Sequence, residues 1–501
     1  MRSQFHHRSS LAHHRVDSAF NRLHRAKRSH NIVEPPTTGF TTAKPPLFSS
    51  QAQPFLAELP TEEQHYSPQQ TATQKLKTLI EEHSYNDFFA KAIKMVSEQN
   101  IPELSSIKTL EQFYFFLDAL VTWIPEIRVW DWDGKILHER TVYSRLMQFY
   151  YYFNQAPLAA LQSPIVPLEG ERLSPISRWM RDFAIEWGHF LDTPASQEHV
   201  ESFKYAPEYA WQDYEHPPEQ YATFNEFFAR KFKDIDVQRP VAQVDNERVI
   251  VFPAESTFVG QWAISTPVDA PVPAPAAIVV KHIEWTIAEL LQDSRYGDAF
   301  QGGIFCHSFL NTYDYHCLHT AVAGRVLEAK FIPGQVYLEV KLKALEENDA
   351  EGNLARAVIP QRYLDAEDAT GYQFVQCRGL LLLESAVGKV AILPIGMAQV
   401  SSVVFVTPEA EGQQPIVLTP EEKANLNYAQ QITLLNKKIK QGLVGKYLKK
   451  GEMFSFFQFG GSDFVMVFER QANVDITAAV NVHYPVRSQC AISNINELRY
   501  Y

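Results

Sequence analysis

The sequence predicts an α+β protein: a helical N-terminal domain followed by a mainly antiparallel, β-rich domain. Three observations predict it. Between about residues 71 and 235, apolar residues recur at helical spacing. After "DVQRPV" at 236–241 the texture changes to short β-branched runs punctuated by Gly or Pro. The chain has 501 residues, of which 45% are hydrophobic, enough for two or three domains with cores of their own.

The elements follow in order. Residues 1–70 read as a disordered basic tail and linker. The first 31 residues hold six Arg, one Lys and six His against a single acid, Asp17. Such an Arg-rich, acid-poor start also fits a mitochondrial transit peptide. Residues 34–70 are rich in Pro, Thr, Ser and Gln. The helical domain spans 71–235. In "SPISRWMRDFAIEWGHFLDTP", Ile176, Met180, Phe183, Trp187 and Leu191 fall on one helix face. "TFNEFFARKFKD" opens with Thr223 and has Glu226 three residues on, the spacing of a capping box. The β-rich domain spans 236–501. "RVIVFPAESTFVGQWAI", "GRVLEAKFI", "GLLLLES", "GKVAILPI" and "AQVSSVVFV" read as its strands, and "IEWTIAELLQD" as a helix among them. "FQFGGSDFVMVFE", at 457–469, reads as a strand interrupted by Gly460-Gly461-Ser462. Glycine within a strand marks a bulge, a bend or a close backbone approach.

Composition excludes several classes. A net charge of -12 and a pI near 5.8 argue against a nucleic-acid binder. Cys306, Cys317, Cys377 and Cys490 have no zinc-like spacing and read as reduced thiols. No apolar run reaches the roughly 18 residues of a membrane span.

Three polar points stand out in the β-rich half: Glu255 in "VFPAEST", His316 and His319 in "TYDYHCLHTAVAGRV", and Ser462. Carboxylate, imidazole and hydroxyl are the parts of a nucleophile, base and orienter set. An ordinary serine hydrolase is one reading, although Phe464 stands where a nucleophile elbow needs its last Gly. A metal site on the two histidines is another, weakened by their spacing of three on a strand. Two histidines satisfied in the core is the plainest.

The motifs taken together resemble the phosphatidylserine decarboxylase family. "TFNEFFARKFKDIDVQRPV", "DYHCLHTAVAGRVLEAKFIPG", "GKVAILPIGMAQVSSV" and "KGEMFSFFQFGGSDFVMVFE" resemble, in order, four of its blocks. "ISRWMRDFAIEWGHFLDTPAS" resembles the added N-terminal domain of a soluble branch that includes fungal tryptophan decarboxylases. The resemblance implies self-cleavage between Gly461 and Ser462. Ser462 attacks the Gly461 carbonyl, His319 serves as base and Glu255 orients it. The serine becomes a covalent pyruvoyl cofactor, whose ketone forms a Schiff base with the substrate amine and draws electrons as carbon dioxide leaves. His316 is implied to assist decarboxylation or proton return, and no metal is implied.

The chain departs from the family pattern at three places: Glu255 replaces the usual Asp, Cys317 the usual Arg, and Asp463 a common Thr. The resemblance implies a small-molecule amino acid as substrate, an aromatic one such as tryptophan among them, with phosphatidylserine as the alternative. A non-cleaving relative used for binding is a third reading. The resemblance further implies a homodimer; with no apolar run long enough for a membrane span, the expected location is cytoplasmic, with mitochondrial or peripheral-membrane locations as the alternatives.

Overall fold

The computed structural model describes residues 55–101, 104–127, 129–132, 135–138, 141–165, 173–217, 220–265, 277–280, 283–344, 362–366, 371–396, 403–460 and 463–499. The basic start, most of the linker, Gly461 and Ser462 lie outside these residues.

The first part is helical as expected. Helices Thr71–His83, Asn86–Ser97, Leu110–Val121, Thr141–Phe153 and Pro175–Leu191 carry it, with one hairpin, Val129–Trp132 against Lys135–His138. Ser174 caps the helix Pro175–Leu191 by accepting from the Ser177 N–H, and the whole predicted stripe is buried along it. Rings of neighbouring helices interlock there: Phe149 stacks on Phe183 at 4.7 Å, and Trp179 Nε1 donates to the Ala72 carbonyl at 2.7 Å. The helix opened by Thr223 is short, Phe224–Phe228. Thr223 accepts from the Glu226 N–H, but the Glu226 carboxylate takes the Ala222 N–H. The cap is therefore one residue off the reciprocal pattern.

The second part is built on an eight-stranded antiparallel sheet. Its order is Tyr447–Leu448, Gly324–Ile332, Cys377–Ser385, Gly388–Gly396, Asp463–Phe468, Ile304–Phe309, Ser256–Ala263 and His483–Tyr484. Both faces are covered. Leu381, Leu383, Phe464, Met466 and Phe468 enter one core, while Leu380, Leu382, Val465 and Val467 enter another. This explains the unbroken apolar runs, because a strand buried on both faces has no polar side to alternate with. The helix expected across "IEWTIAELLQD" is a strand, Ile283–Thr286, followed by a helix, Ile287–Leu291, capped by Thr286 with Glu289. The cap sits inside the predicted helix, and the β-branched and aromatic residues before it pair with Ala277–Val280.

Two smaller sheets bear on the site. One orders Val403–Phe405, Met453–Phe457 and Cys317–His319; the other orders Val474–Ile476, Gln489–Ser493 and Val249–Val251. The helical part packs on this framework. Phe183, Trp187 and Phe224 belong to the same apolar core as Leu318, Phe457 and Phe464.

Candidate active site

The strand Met453–Phe457 lies antiparallel to the histidine strand, with Met453 opposite His319 and Phe456 opposite Cys317. The Phe457 N–H donates to the His316 carbonyl at 2.8 Å. Past Phe457 the chain leaves this small sheet. From Asp463 it is an inner strand of the large one, held by Gly388–Gly396 and Ile304–Phe309. "FQFGGSDFVMVFE" is therefore not one interrupted strand. Residues 458–460 leave the small sheet, and the large sheet takes up the chain at Asp463. Gly460 stands at φ +102°, in the left-handed region that L side chains avoid.

His319 is buried between two partners. Nδ1 lies 2.8 Å from the Gly451 carbonyl, which can only accept, so the ring proton sits on Nδ1. Nε2 is then the basic nitrogen, and the Tyr315 hydroxyl donates to it at 3.1 Å. Burial, helped by the Arg487 guanidinium, pushes the imidazole pKa down to about 3. Glu255 does not touch this ring. Its Oε1 meets Arg239 Nε at 2.5 Å, and its Oε2 accepts the Tyr315 N–H at 3.2 Å. The orienting carboxylate implied by the resemblance thus reaches His319 only through Tyr315, and the Gly451 carbonyl sets the tautomer. Arg239 supplies the reason: it pairs with the longer Glu side chain at the edge of the site.

Glu255→Gln should destabilise the protein by roughly 2–3 kcal/mol, towards the low end for a broken buried pair, since Arg239 keeps some water. It should slow any step that depends on His319 by less than tenfold. Denaturant midpoints and cleavage time courses check the two numbers, and a block as deep as that of His319→Ala would mean that Glu255 acts on the ring directly.

His316 is wholly buried and stacked on Phe228, with ring centroids 3.9 Å apart. Neither ring nitrogen has a partner at hydrogen-bond geometry, although the Asp314 and Asn311 backbones lie near enough to favour the proton slightly. Burial first, and Arg230 second, hold its pKa well below the usual imidazole range. Both histidines are therefore neutral at neutral pH. The unfolded chain takes up a proton on each near pH 6.5, whereas folded His319 does so only near 3. Their contribution is intact above pH 6.5 and is lost as the pH falls through that window. The melting midpoint should drop on acidification, with a shallower slope in His319→Gln. Equal slopes in the two proteins would contradict this.

A second polar group lies where the large sheet takes up the chain. The Asp463 carboxylate is buried, and its Oδ2 receives His307 Nε2 at 3.0 Å and Gln373 Nε2 at 3.0 Å. Asp463 Oδ1 has no partner. His307 sits opposite Val465, one step along the same face of the sheet as Asp463. The sequence carries a signal for this group, a histidine inside the apolar stretch "IFCHSF", which the sequence reading passed over.

The structure thus gathers Glu255, Tyr315 and His319 on one side and places His316 beside the strand leading to Gly460. Ser462, with Gly461, lies outside the described residues. The described residues offer a neutral imidazole at His319, a buried imidazole at His316 without hydrogen-bond partners and a hydrogen-bonded carboxylate at Asp463. His316 and Asp463 each keep buried polar atoms without a partner.

A cavity of about 420 Å³ opens where the two parts of the chain meet, lined among others by Ile185, Glu186, Phe405, Tyr428, Ile432 and Gln458.

Comparison with known proteins bears on the same residues. The profile of the family described as phosphatidylserine decarboxylase matches residues 224–488, more than half of the chain. The chain is 26% identical over 302 residues to phosphatidylserine decarboxylase proenzyme 3 of Schizosaccharomyces pombe, covering 60% of this chain but 24% of that protein. It is 26% identical over 339 residues to phosphatidylserine decarboxylase proenzyme of Fusobacterium nucleatum, covering 67% of this chain and 85% of that protein. It is 20% identical over 269 residues to L-tryptophan decarboxylase of Psilocybe cyanescens, covering 52% and 50%.

Proposed function

Since the chain belongs to the phosphatidylserine decarboxylase family, we propose that it is a self-processing, pyruvoyl-dependent decarboxylase acting on a free amino acid. The observation that carries this reading is the pairing of the His319 strand with the strand that runs into Gly460-Gly461-Ser462. In maturation, His319 Nε2 takes the Ser462 hydroxyl proton as the oxygen attacks the Gly461 carbonyl. Gly461 leaves that carbon open, and Gly460 absorbs the turn. The low pKa of His319 keeps the base unprotonated at any physiological pH.

The pyruvoyl group supplies a ketone that condenses with the substrate amine and withdraws electrons when the α-carboxylate departs. The other work falls to the chain's own side chains. His316, neutral and with open nitrogens, holds or returns a proton at the substrate α-carbon. Asp463, hydrogen-bonded by His307 and Gln373, keeps its charge offset beside the reacting bond. The packed rings of Phe228 and Phe459 exclude water from His316.

Two observations favour an amino acid, including an aromatic one. The cavity at Gln458 mixes apolar walls with carboxylates in a volume suited to one aryl side chain. Asp182, Ile185, Glu186 and His189 of its lining come from the helix Pro175–Leu191, outside the residues that the family profile matches, while most of the remaining lining lies within them. The second reading, decarboxylation of phosphatidylserine, is favoured by the names of most relatives. Among the described residues no helix is long and apolar enough to cross a membrane. On the family resemblance the reading also carries a cytoplasmic homodimer. The test is intact mass followed by two assays. The purified protein should yield a fragment of residues 462–501 with a blocked N-terminus, and should release carbon dioxide from tryptophan. Release from phosphatidylserine alone would overturn the substrate.

A further inference from the structure

The short helix Phe224–Phe228 reaches both sides of the candidate site. Asn225 is 4% exposed and makes three contacts. Its Oδ1 accepts the Phe459 N–H at 3.1 Å, and its Nδ2 donates to Asp192 Oδ1 at 2.9 Å and to the Gly188 carbonyl at 3.3 Å. Asp192 Oδ1 also receives Gln458 Nε2 at 3.1 Å. Two consecutive residues, Gln458 and Phe459, are thus fixed from the helical part, one residue before Gly460. The Phe459 ring is caged as well, with Trp187, Phe224 and Phe228 at 5.9, 5.5 and 5.6 Å. Phe228 in turn stacks on His316. Two residues beyond the helix, Arg230 Nη2 donates to the Tyr313 carbonyl at 2.6 Å and holds the chain leading to the histidines.

This arrangement has a mechanical meaning. A glycine pair can bend in many ways, so it does not by itself fix the attack geometry of the peptide bond that follows. Something must anchor the chain before it. Phe459 lies two residues past the strand Met453–Phe457, so its buried N–H needs a partner outside that ladder; a buried Asn amide held by two further bonds is a rigid acceptor.

We propose that Asn225, held by Asp192 and the Gly188 carbonyl, is a positioning residue for self-cleavage, fixing the backbone at Phe459 so that the Gly461–Ser462 bond meets its attacking hydroxyl. The inference rests on the maturation reading above. Its consequence is that the helical part, most of it outside the residues the family profile matches, is required for the chain to cut itself.

The test uses full-length chain and follows the appearance of the 462–501 fragment with time. Asn225→Asp keeps an acceptor for Phe459 but turns a second oxygen towards Asp192 Oδ1. Cleavage should slow by about tenfold to a hundredfold, the loss expected from a misplaced reacting bond. Asp192→Asn alone keeps an oxygen for Asn225 and Gln458 and should cleave near the wild-type rate. Combined with Asn225→Asp it supplies the missing donor, and the rate should recover by at least half of its logarithmic loss. Melting midpoints, measured for each variant in the uncleavable Ser462→Ala background, should stay within about 1 °C of one another, the shift that about 1 kcal/mol makes in a chain of this length. Folded Asn225→Asp that cleaves at the wild-type rate, or a double variant that regains nothing, overturns the inference. If the wild-type chain itself stays intact, the maturation reading falls instead.

Discussion

Ser462→Ala should yield one uncut chain of 501 residues with no decarboxylase activity, against two chains for the wild type. The expectation is all-or-none for a chemical reason. The hydroxyl is at once the nucleophile that breaks the backbone and the leaving group whose loss, on the Gly461 carboxylate, leaves the dehydroalanine that water converts to the ketone with release of ammonia, so no neighbouring group can replace it. Denaturing electrophoresis with intact mass measures it. Complete cleavage of the alanine variant would move the nucleophile elsewhere in the chain. A wild-type protein of a single intact band would leave the family fold without its chemistry.

His319→Ala should slow the appearance of the fragment by about 10²- to 10⁴-fold, the usual worth of a positioned base. The ring fits the task by its tautomer: the Gly451 carbonyl takes the Nδ1 proton, leaving Nε2 free of hydrogen and met by the Tyr315 hydroxyl. It is a weak base, because burial disfavours its charged form. The same burial makes any transfer to it short-lived, suiting a step in which the proton must be passed on. His316→Ala should differ in kind, since His316 is read as serving the substrate: two chains should form while turnover falls. If both histidine variants cleave normally, the base lies outside the pair.

Much of this was legible in the residues. The helix Pro175–Leu191 could be read from its stripe, because a surface helix must bury one face and the period reports it. The strands "GLLLLES" and "GKVAILPI" could be placed, and only the structure shows why they do not alternate. Glu255, His316 and His319 were found as polar residues in apolar settings. What could not be read was pairing across distance. The bond from Gly451 to His319 spans 132 residues, that from Asn225 to Phe459 spans 234, and that from His307 to Asp463 spans 156. Local pattern carries no information about such meetings. Glu255 shows the cost: its type and place suggested an orienter of the ring, but Arg239, 16 positions earlier, holds it.

The inner position of Asp463–Phe468 has a further consequence. The piece that begins at residue 462 is woven in at three places: between two strands of the large sheet, at its rim through His483–Tyr484, and in a third sheet where Gln489–Ser493 pairs with Val249–Val251. On the proposed cleavage, a cut beside it would create a chain end but not a freely leaving subunit. The two polypeptides could part only by unfolding these sheets, so the barrier to unfolding would set the rate of their separation.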